Sequence, residues 1–341
     1  MLRWRLLTFP FAILTLAAAP VSDLQPDLRS LLSRELRFSP SDLADLEKGK
    51  VVTHALGTPA AGEIAAVGAV RIETRKETFV ERYRDIAQFK RGDDVLQIGR
   101  FGDPPTLGDL ARLTVEKKDL DVRTCRVGHC DIRLPADLIV RVQREIDWTA
   151  GDAQTRAGIL FKELILDNVR AYLSGGPGRI VEYDDEKRPV RPADDFAGLL
   201  TNSAFIGTLV PGLPEHLKAF PSSPLHGAED FLYWSKEKFG FTPFITVTHV
   251  TITPTTSTSA VIASKDVYSS RYVDASLTIT IASDAVGTPR AFYLVYVNRS
   301  RASALKGVLA DLRRSIVQHR AKNTLDENLR AVKLRLETNG P

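Results

Sequence analysis

The 341-residue chain lacks the short signatures by which many catalysts are read. It has no Gly-x-Ser-x-Gly elbow, no His-Glu-x-x-His pair and no Gly-x-x-x-x-Gly-Lys phosphate loop. Its six histidines, His54, His129, His216, His226, His249 and His319, are scattered without metal-ligand spacing. It has only two cysteines, and no internal repeat or low-complexity tract. Neither sign of charge dominates: 46 Lys and Arg stand against 42 Asp and Glu, and losing Arg3 and Arg5 with a leader would bring the two closer. A nucleic-acid partner is therefore not expected, nor is a metal or cofactor. Missing motifs lower the expectation of catalysis without removing it, because a fold can assemble a site from distant residues.

What is present begins at the N-terminus. Arg3 and Arg5 precede an apolar run from Leu6 to Leu16, and Ala17-Ala18-Ala19 follows. This is the order of a secretory signal peptide over residues 1–19, and it predicts a periplasmic or secreted protein. The run is too short, and too interrupted by Pro10, for a comfortable membrane span. An uncleaved anchor is the alternative, since Pro20 after the best cleavage site would hinder cutting. No cysteine near this point offers a lipid-attachment site. Both cysteines lie in Cys125-Arg-Val-Gly-His-Cys130, and in an oxidising compartment a short-loop disulfide is the default. A haem c attachment would need histidine where Asp131 stands, and a metal site on Cys125, His129 and Cys130 would lack a local fourth ligand.

Hydrophobic periodicity supplies the elements. A short helix is expected over Pro26 to Leu36, and Ser39-Pro40-Ser41-Asp42 offers cap chemistry for a second that ends near Gly49. Strands are expected at Val51–Leu56, within Glu63–Thr74 and at Asp94–Arg100. Between the last two, Phe79, Val80, Tyr83, Ile86 and Phe89 mark the buried stripe of a helix. From Pro104 to Leu232 the pattern is mainly helical, with amphipathic runs at Ala136–Trp148 and Ala153–Leu173, a strand at Arg179–Tyr183, and short helices among the glycines and prolines of Phe196–Phe220. The most legible stretch is Phe244 to Leu336. Four strand-like runs, Phe244–Thr253, Val261–Tyr268, Leu277–Ile281 and Phe292–Val297, lead into an apolar stripe at Leu305, Val308, Leu309, Leu312 and Ile316. That stripe is expected to bury against Leu277, Ile279 and Leu294. The basic tail from Asn323, with Leu325, Leu329, Val332 and Leu336 at helical spacing, is expected to dock on the body or to contact a membrane surface.

The order of a strand, the phrase Ile72-Glu-Thr-Arg-Lys-Glu-Thr-Phe79-Val-Glu-Arg-Tyr83-Arg-Asp85, more strands and a final amphipathic helix resembles the helix-grip domains of the START-like superfamily. The resemblance covers about residues 51 to 317, with the helical stretch as a long interruption. It implies an antiparallel sheet wrapped on a long C-terminal helix, with a hydrophobic ligand between them. It transfers no functional residue. The expected class is therefore α+β: a leader over 1–19, a helical segment over 20–49, an α+β domain over 50–320 with a helical insertion at about 104–232, and a tail over 321–341. A separate helical domain is the alternative for the insertion.

Three functions follow as expectations. The first is an extracytoplasmic carrier or binding protein for a hydrophobic or amphipathic, lipid-like small molecule. Gly307, placed inside the closing helix, hints at something approaching its backbone closely. Candidate ligand contacts are Trp234, in the aromatic and charged run Glu229–Gly240, with His249, Lys265, Tyr268, Tyr272 and Tyr296, provided their strand faces coincide. For the run Glu229–Gly240 the plainer reading is an amphipathic helix whose aromatics are core. The second function is an enzyme using His249 as general acid or base, with Lys265 or Tyr268 stabilising charge; it needs His249 to border an open pocket. The third is an envelope scaffold with an exposed apolar patch and no closed cavity.

Overall fold

The computed structural model describes residues 22–238, 242–307 and 309–338, so the leader expected over 1–19 lies outside the described residues. The chain opens with a short helix, α1 (Pro26–Ser30), continued by a π-helical turn (Leu31–Glu35), and α2 (Pro40–Glu47). Ser39 caps α2 in a reciprocal capping box with Asp42, and Gly49 at φ +77° turns the chain away. Strands β1 (Val52–Leu56) and β2 (Glu63–Ile72) form a hairpin, then α3 (Lys76–Arg84), α4 (Ile86–Phe89) and β3 (Val95–Arg100) follow. Five helices come next: α5 (Ala136–Glu145), α6 (Ala153–Gly175), α7 (Pro192–Thr201), α8 (Phe205–Leu209) and α9 (Leu213–Ala219). The meander β4 (Glu229–Lys238), β5 (Pro243–Ile252), β6 (Ser259–Ser269), β7 (Ala275–Asp284) and β8 (Phe292–Arg301) leads to α10 (Ala310–Thr338).

Among the described residues eight strands join one antiparallel sheet in the order β1-β2-β8-β7-β6-β5-β4-β3, so the fold is α+β with a C-terminal helix. Alternation along each strand sorts side chains to two faces. One face carries Val67, Ala263, Leu277, Ile279 and Val295 beneath the N-terminal helices and α7–α9, and Trp234, Val247 and Tyr268 beneath α5, α6 and their loops. The other carries Val70, Val250, Ile262, Ala282 and Leu294 beneath α3, α4 and the later part of α10. We call them the closed face and the open face, for reasons given below.

Two local features shape the sheet on its open side. Thr248 pairs with Asp266 while Val247 pairs with Tyr268, so Val267 is an extra residue that bends β6. A second bulge at Leu96 pushes that side chain outward from edge strand β3. Cys125 and Cys130 are joined by a disulfide, with Cα atoms 4.5 Å apart, as an oxidising compartment allows. Among the described residues no helix is long and apolar enough to cross a membrane.

Four expectations change. The expected closing stripe is not buried: Leu305 lies in a short 3-10 turn (Ser303–Leu305), Leu309, Leu312 and Ile316 are exposed, and Val308 lies outside the described residues. Leu325, Leu329 and Leu336 are the buried positions of α10 instead. The reason lies in β2, where Gly68 lets the helix approach the backbone. A Cβ there would sit 2.6 Å from Leu329 Cδ1 and 3.1 Å from Leu325 Cδ2. Leu277 and Ile279 face away from α10, under α7, and only Leu294 shares its face. Gly307 stands before α10 in a turn at φ +83°, with open space around it, so its glycine serves the turn and no close approach. The run Glu229–Gly240 contains strand β4 and no helix over Glu229–Lys238. Both of its faces are covered by apolar neighbours, which hides the period of two. Arg179–Tyr183 contributes only a single bridge, from Tyr183 to Val190, after a 3-10 turn.

Candidate functional site

On the closed face, the candidates named from sequence are enclosed. His249 is 1% exposed, and its Nε2–H donates to Asp230 Oδ1 at 3.0 Å while Nδ1 accepts from the Tyr172 hydroxyl at 2.8 Å. Asp230 also accepts from Thr251 Oγ1 at 2.7 Å and lies 3.0 Å from His216 Nε2. Burial works to raise Asp230, but its hydrogen bonds to His249, Thr251 and His216 prevail and hold it down at about 2. His249 is lowered by burial, against the pull of Asp230. Lys265, opposite His249 in the neighbouring strand, donates to the Leu217 carbonyl at 3.3 Å and lies 4.0 Å from the centre of the Phe196 ring. Burial pulls it down to about 7.

Trp234 and Tyr268 share this face. The Trp234 indole lies across Gly99 and donates to the Asp109 carbonyl at 2.9 Å. The Tyr268 hydroxyl donates to the Arg133 carbonyl at 2.8 Å. Each is an apolar body whose one polar atom is satisfied by the insertion, which is what a core aromatic requires. Tyr272 stands apart in the β6–β7 turn, exposed, with its hydroxyl donating to the Thr242 carbonyl. Tyr296 points to the other side of the sheet. The six candidates thus do not converge on one pocket, and the general acid or base role for His249 lacks the open pocket it requires.

The open face divides along its strands. Toward α3 and α4 it is apolar: Phe79, Val80, Phe231, Val250, Phe292 and Leu294 pack together. Toward the other end the inward positions turn polar. Ser264, Asp266, Ser276, Thr278, Tyr296, Asn298 and Ser300 are half-buried. Here α10 runs along β1 and β2, where Gln318 reaches the Leu56 carbonyl and Lys333 the Arg71 carbonyl.

These groups are prearranged. Asn298 Nδ2 donates to Thr278 Oγ1 at 2.9 Å and Ser276 Oγ at 3.1 Å, while its Oδ1 accepts from Ser300. Thr248 donates to Asp266 at 2.9 Å, and Tyr83 of α3 meets Ser264 at 3.2 Å. Lys90 donates to Glu237 at 2.7 Å and to the Tyr233 hydroxyl at 3.3 Å, and Ser235 donates to Glu237 at 2.6 Å. Burial pushes Asp266 up to about 7, only partly offset by Thr248 and Lys90. Burial also opposes charge on Lys90 and Glu237, but each stabilises the other, so Lys90 is held well above and Glu237 below its ordinary value. The result is a hydroxyl- and amide-rich surface bearing one internal ion pair and one carboxyl able to donate or accept near neutral pH. Such a surface can recognise hydroxyl, amide or carbonyl groups by hydrogen bonds.

Sequence reading found Tyr296 but missed Asp266, Thr278, Asn298 and the Lys90–Glu237 pair. A signal was present: in Leu277-Thr278-Ile279 and Tyr296-Val297-Asn298 the polar set continues across adjacent strands on one face. Two cavities lie elsewhere, one of about 850 Å³ beside Arg75, Asp284 and Arg290, the other of about 460 Å³ beside Cys130, Arg133 and Tyr272. Neither is the apolar space between helix and sheet implied by the resemblance. Among the described residues, no group of His, Cys, Asp and Glu side chains is placed to hold a metal ion.

No protein-family model matches this chain, and neither does any curated protein.

Proposed function

We propose that the protein is an extracytoplasmic binding or carrier protein that holds an amphipathic small molecule against the open face of its sheet. The polar part of the ligand meets Asp266, Thr278 and Asn298, and its apolar part lies against Tyr296, Tyr83 and the half-buried Phe89. The observation that carries this reading is the patch of inward-facing polar side chains that stays half-buried beside the covered apolar part of the same face. A sheet position facing a helix layer would ordinarily be apolar and sealed, so a run of hydrogen-bonded, water-reachable groups there is a surface kept for a partner. The element order supports the helix-grip comparison: β2, two short helices, β3, a helical interruption, the five-stranded meander β4–β8 and a long last helix, with β2 pairing beside β8.

Native mass spectrometry of protein purified from its own host tests the proposal. A bound small molecule is expected in the wild type and absent from Asp266→Ala/Asn298→Ala. A ligand-free wild type that also fails to enrich any amphiphile from host extract would overturn it.

A further inference from the structure

The start of α10 has three large apolar side chains in water. Leu309, in the turn just before the helix, is 68% exposed, and Leu312 at 58% and Ile316 at 50% stand four residues apart on one helical face. Folding does not require this arrangement. Leu309 adopts φ +62°, in the left-handed region that branched side chains avoid, so the backbone is strained where the side chain is also left unburied. Single exposed apolar residues are common on protein surfaces, but two on one helical face with a third in the turn before it form a patch.

The charges around the stripe are one-sided. From Lys306 to Lys322 the chain carries Lys306, Arg313, Arg314, Arg320 and Lys322 against a single acidic residue, Asp311. The fold places this segment directly after β8, at the end of the sheet where Asn298 and Ser300 lie, and the Lys306 side chain packs across Gly62 at the start of β2. The second half of the same helix has the ordinary arrangement, with Leu325, Leu329 and Leu336 buried.

We propose that this first part of α10 docks the protein on an anionic lipid surface, with Leu309, Leu312 and Ile316 inserted at the headgroup boundary and the flanking basic residues over the lipid phosphates. An apolar stripe bordered by Lys and Arg is the arrangement by which an amphipathic helix lies in a membrane interface. A second copy of the chain is a poorer occupant, because a two-fold contact would set the basic flanks against each other. The inference stands independently of ligand binding on the open face.

Vesicle co-sedimentation of the whole protein tests it, using phosphatidylglycerol mixed with phosphatidylcholine against phosphatidylcholine alone. The wild type is expected to sediment with the anionic vesicles only, and to be released as salt rises from about 0.05 M to about 0.5 M. Leu312→Glu/Ile316→Glu is expected to bind at least about tenfold more weakly, with an unchanged circular-dichroism melt because both positions face water. Val140→Glu, at an equally exposed apolar position on α5, is expected to bind like the wild type. No sedimentation, equal sedimentation of the double variant, or equal binding to neutral vesicles would overturn the proposal. A wild-type dimer that the double variant turns into a monomer would overturn it too, and would assign the stripe to a second copy.

Discussion

The two faces of the sheet use similar residues for opposite ends. Under α6 and α9, the polar side chains of His249, Lys265 and Tyr172 are sealed, and each is tied to another side chain or to backbone. Across the sheet, Asp266 is tied to Thr248, and Asn298 to Thr278, yet all stay within reach of water. The closed face shows that a histidine and a lysine brought together need not make a site; in a dry layer they specify how helices seat on strands. The open face shows that less reactive groups, left accessible and mutually oriented, offer more to a ligand. Accessibility separates the two faces, and residue type does not.

Changes that should break the closed face have the largest expected effect. Trp234→Ala removes the largest fully buried side chain on this face, the group that lies across Gly99 and ties β4 to the loop at Asp109. Its unfolding free energy in denaturant is expected to fall by about 3–5 kcal/mol. A loss below about 1 kcal/mol would mean the insertion does not seat on β4 as described.

The comparison sharpens along α10, which carries both kinds of surface in one helix. Leu329→Ala leaves a hole over Gly68 and is expected to cost about 2–5 kcal/mol, whereas Leu312→Ala is expected to stay within about 0.5 kcal/mol. Equal costs in the same denaturant titration would show that the early stripe is packed after all.

Much of this contrast could not be read in the sequence. Most helices and the strands β1, β2, β3 and β5 to β8 follow from period and caps, because those signals are local. The stripes at Leu309–Ile316 and Leu325–Leu336 have the same helical spacing, and only Gly68 on a distant strand decides which one docks. In the same way His249 alternates with Ile245 and Val247 as a core-facing residue should, but α6 and α9, which seal it, come from an insertion whose docking no local pattern reveals. Tyr296 is the one candidate that reached the open face, and its partners Thr278 and Asn298 were hidden by pairing register.

Two carboxylates, one on each face, should respond to pH in opposite senses. Asp230 on the closed face is held at about 2, below its ordinary value, so it adds stability above about pH 4 that is lost as pH falls through 2. Its contribution is about 2 kcal/mol, and the gap between wild type and Asp230→Asn should narrow by that amount toward pH 2. Asp266 is pushed up to about 7, so its folded form is favoured while protonated; that advantage is complete below about pH 4 and lost as pH rises through 7. Asp266→Asn should therefore be more stable than the wild type at pH 8, by about 2 kcal/mol once contact with water is discounted. Denaturant titrations across pH in which both variants shift the same way would contradict the opposite effects assigned to these two carboxylates.

A small stability effect is expected where binding should suffer most. Tyr296 reaches only Thr278, at 3.4 Å, and Asn298 bonds to hydroxyls that water can replace. Tyr296→Phe and Asn298→Ala should each change the unfolding free energy by less than about 1 kcal/mol, because exposed or half-exposed hydrogen bonds exchange with solvent at little net cost. If the open face holds a ligand, the same two changes should lower the fraction of protein that carries it in native mass spectrometry by about tenfold or more, since a ligand group that loses its partner stays desolvated. Trp234→Ala, assayed below its melting temperature, should leave that fraction near the wild-type level, because the indole lies on the far side of the sheet. The opposite outcome, binding lost through Trp234 and kept through Tyr296 and Asn298, would move the site to the closed face and reverse the roles assigned to the two sides.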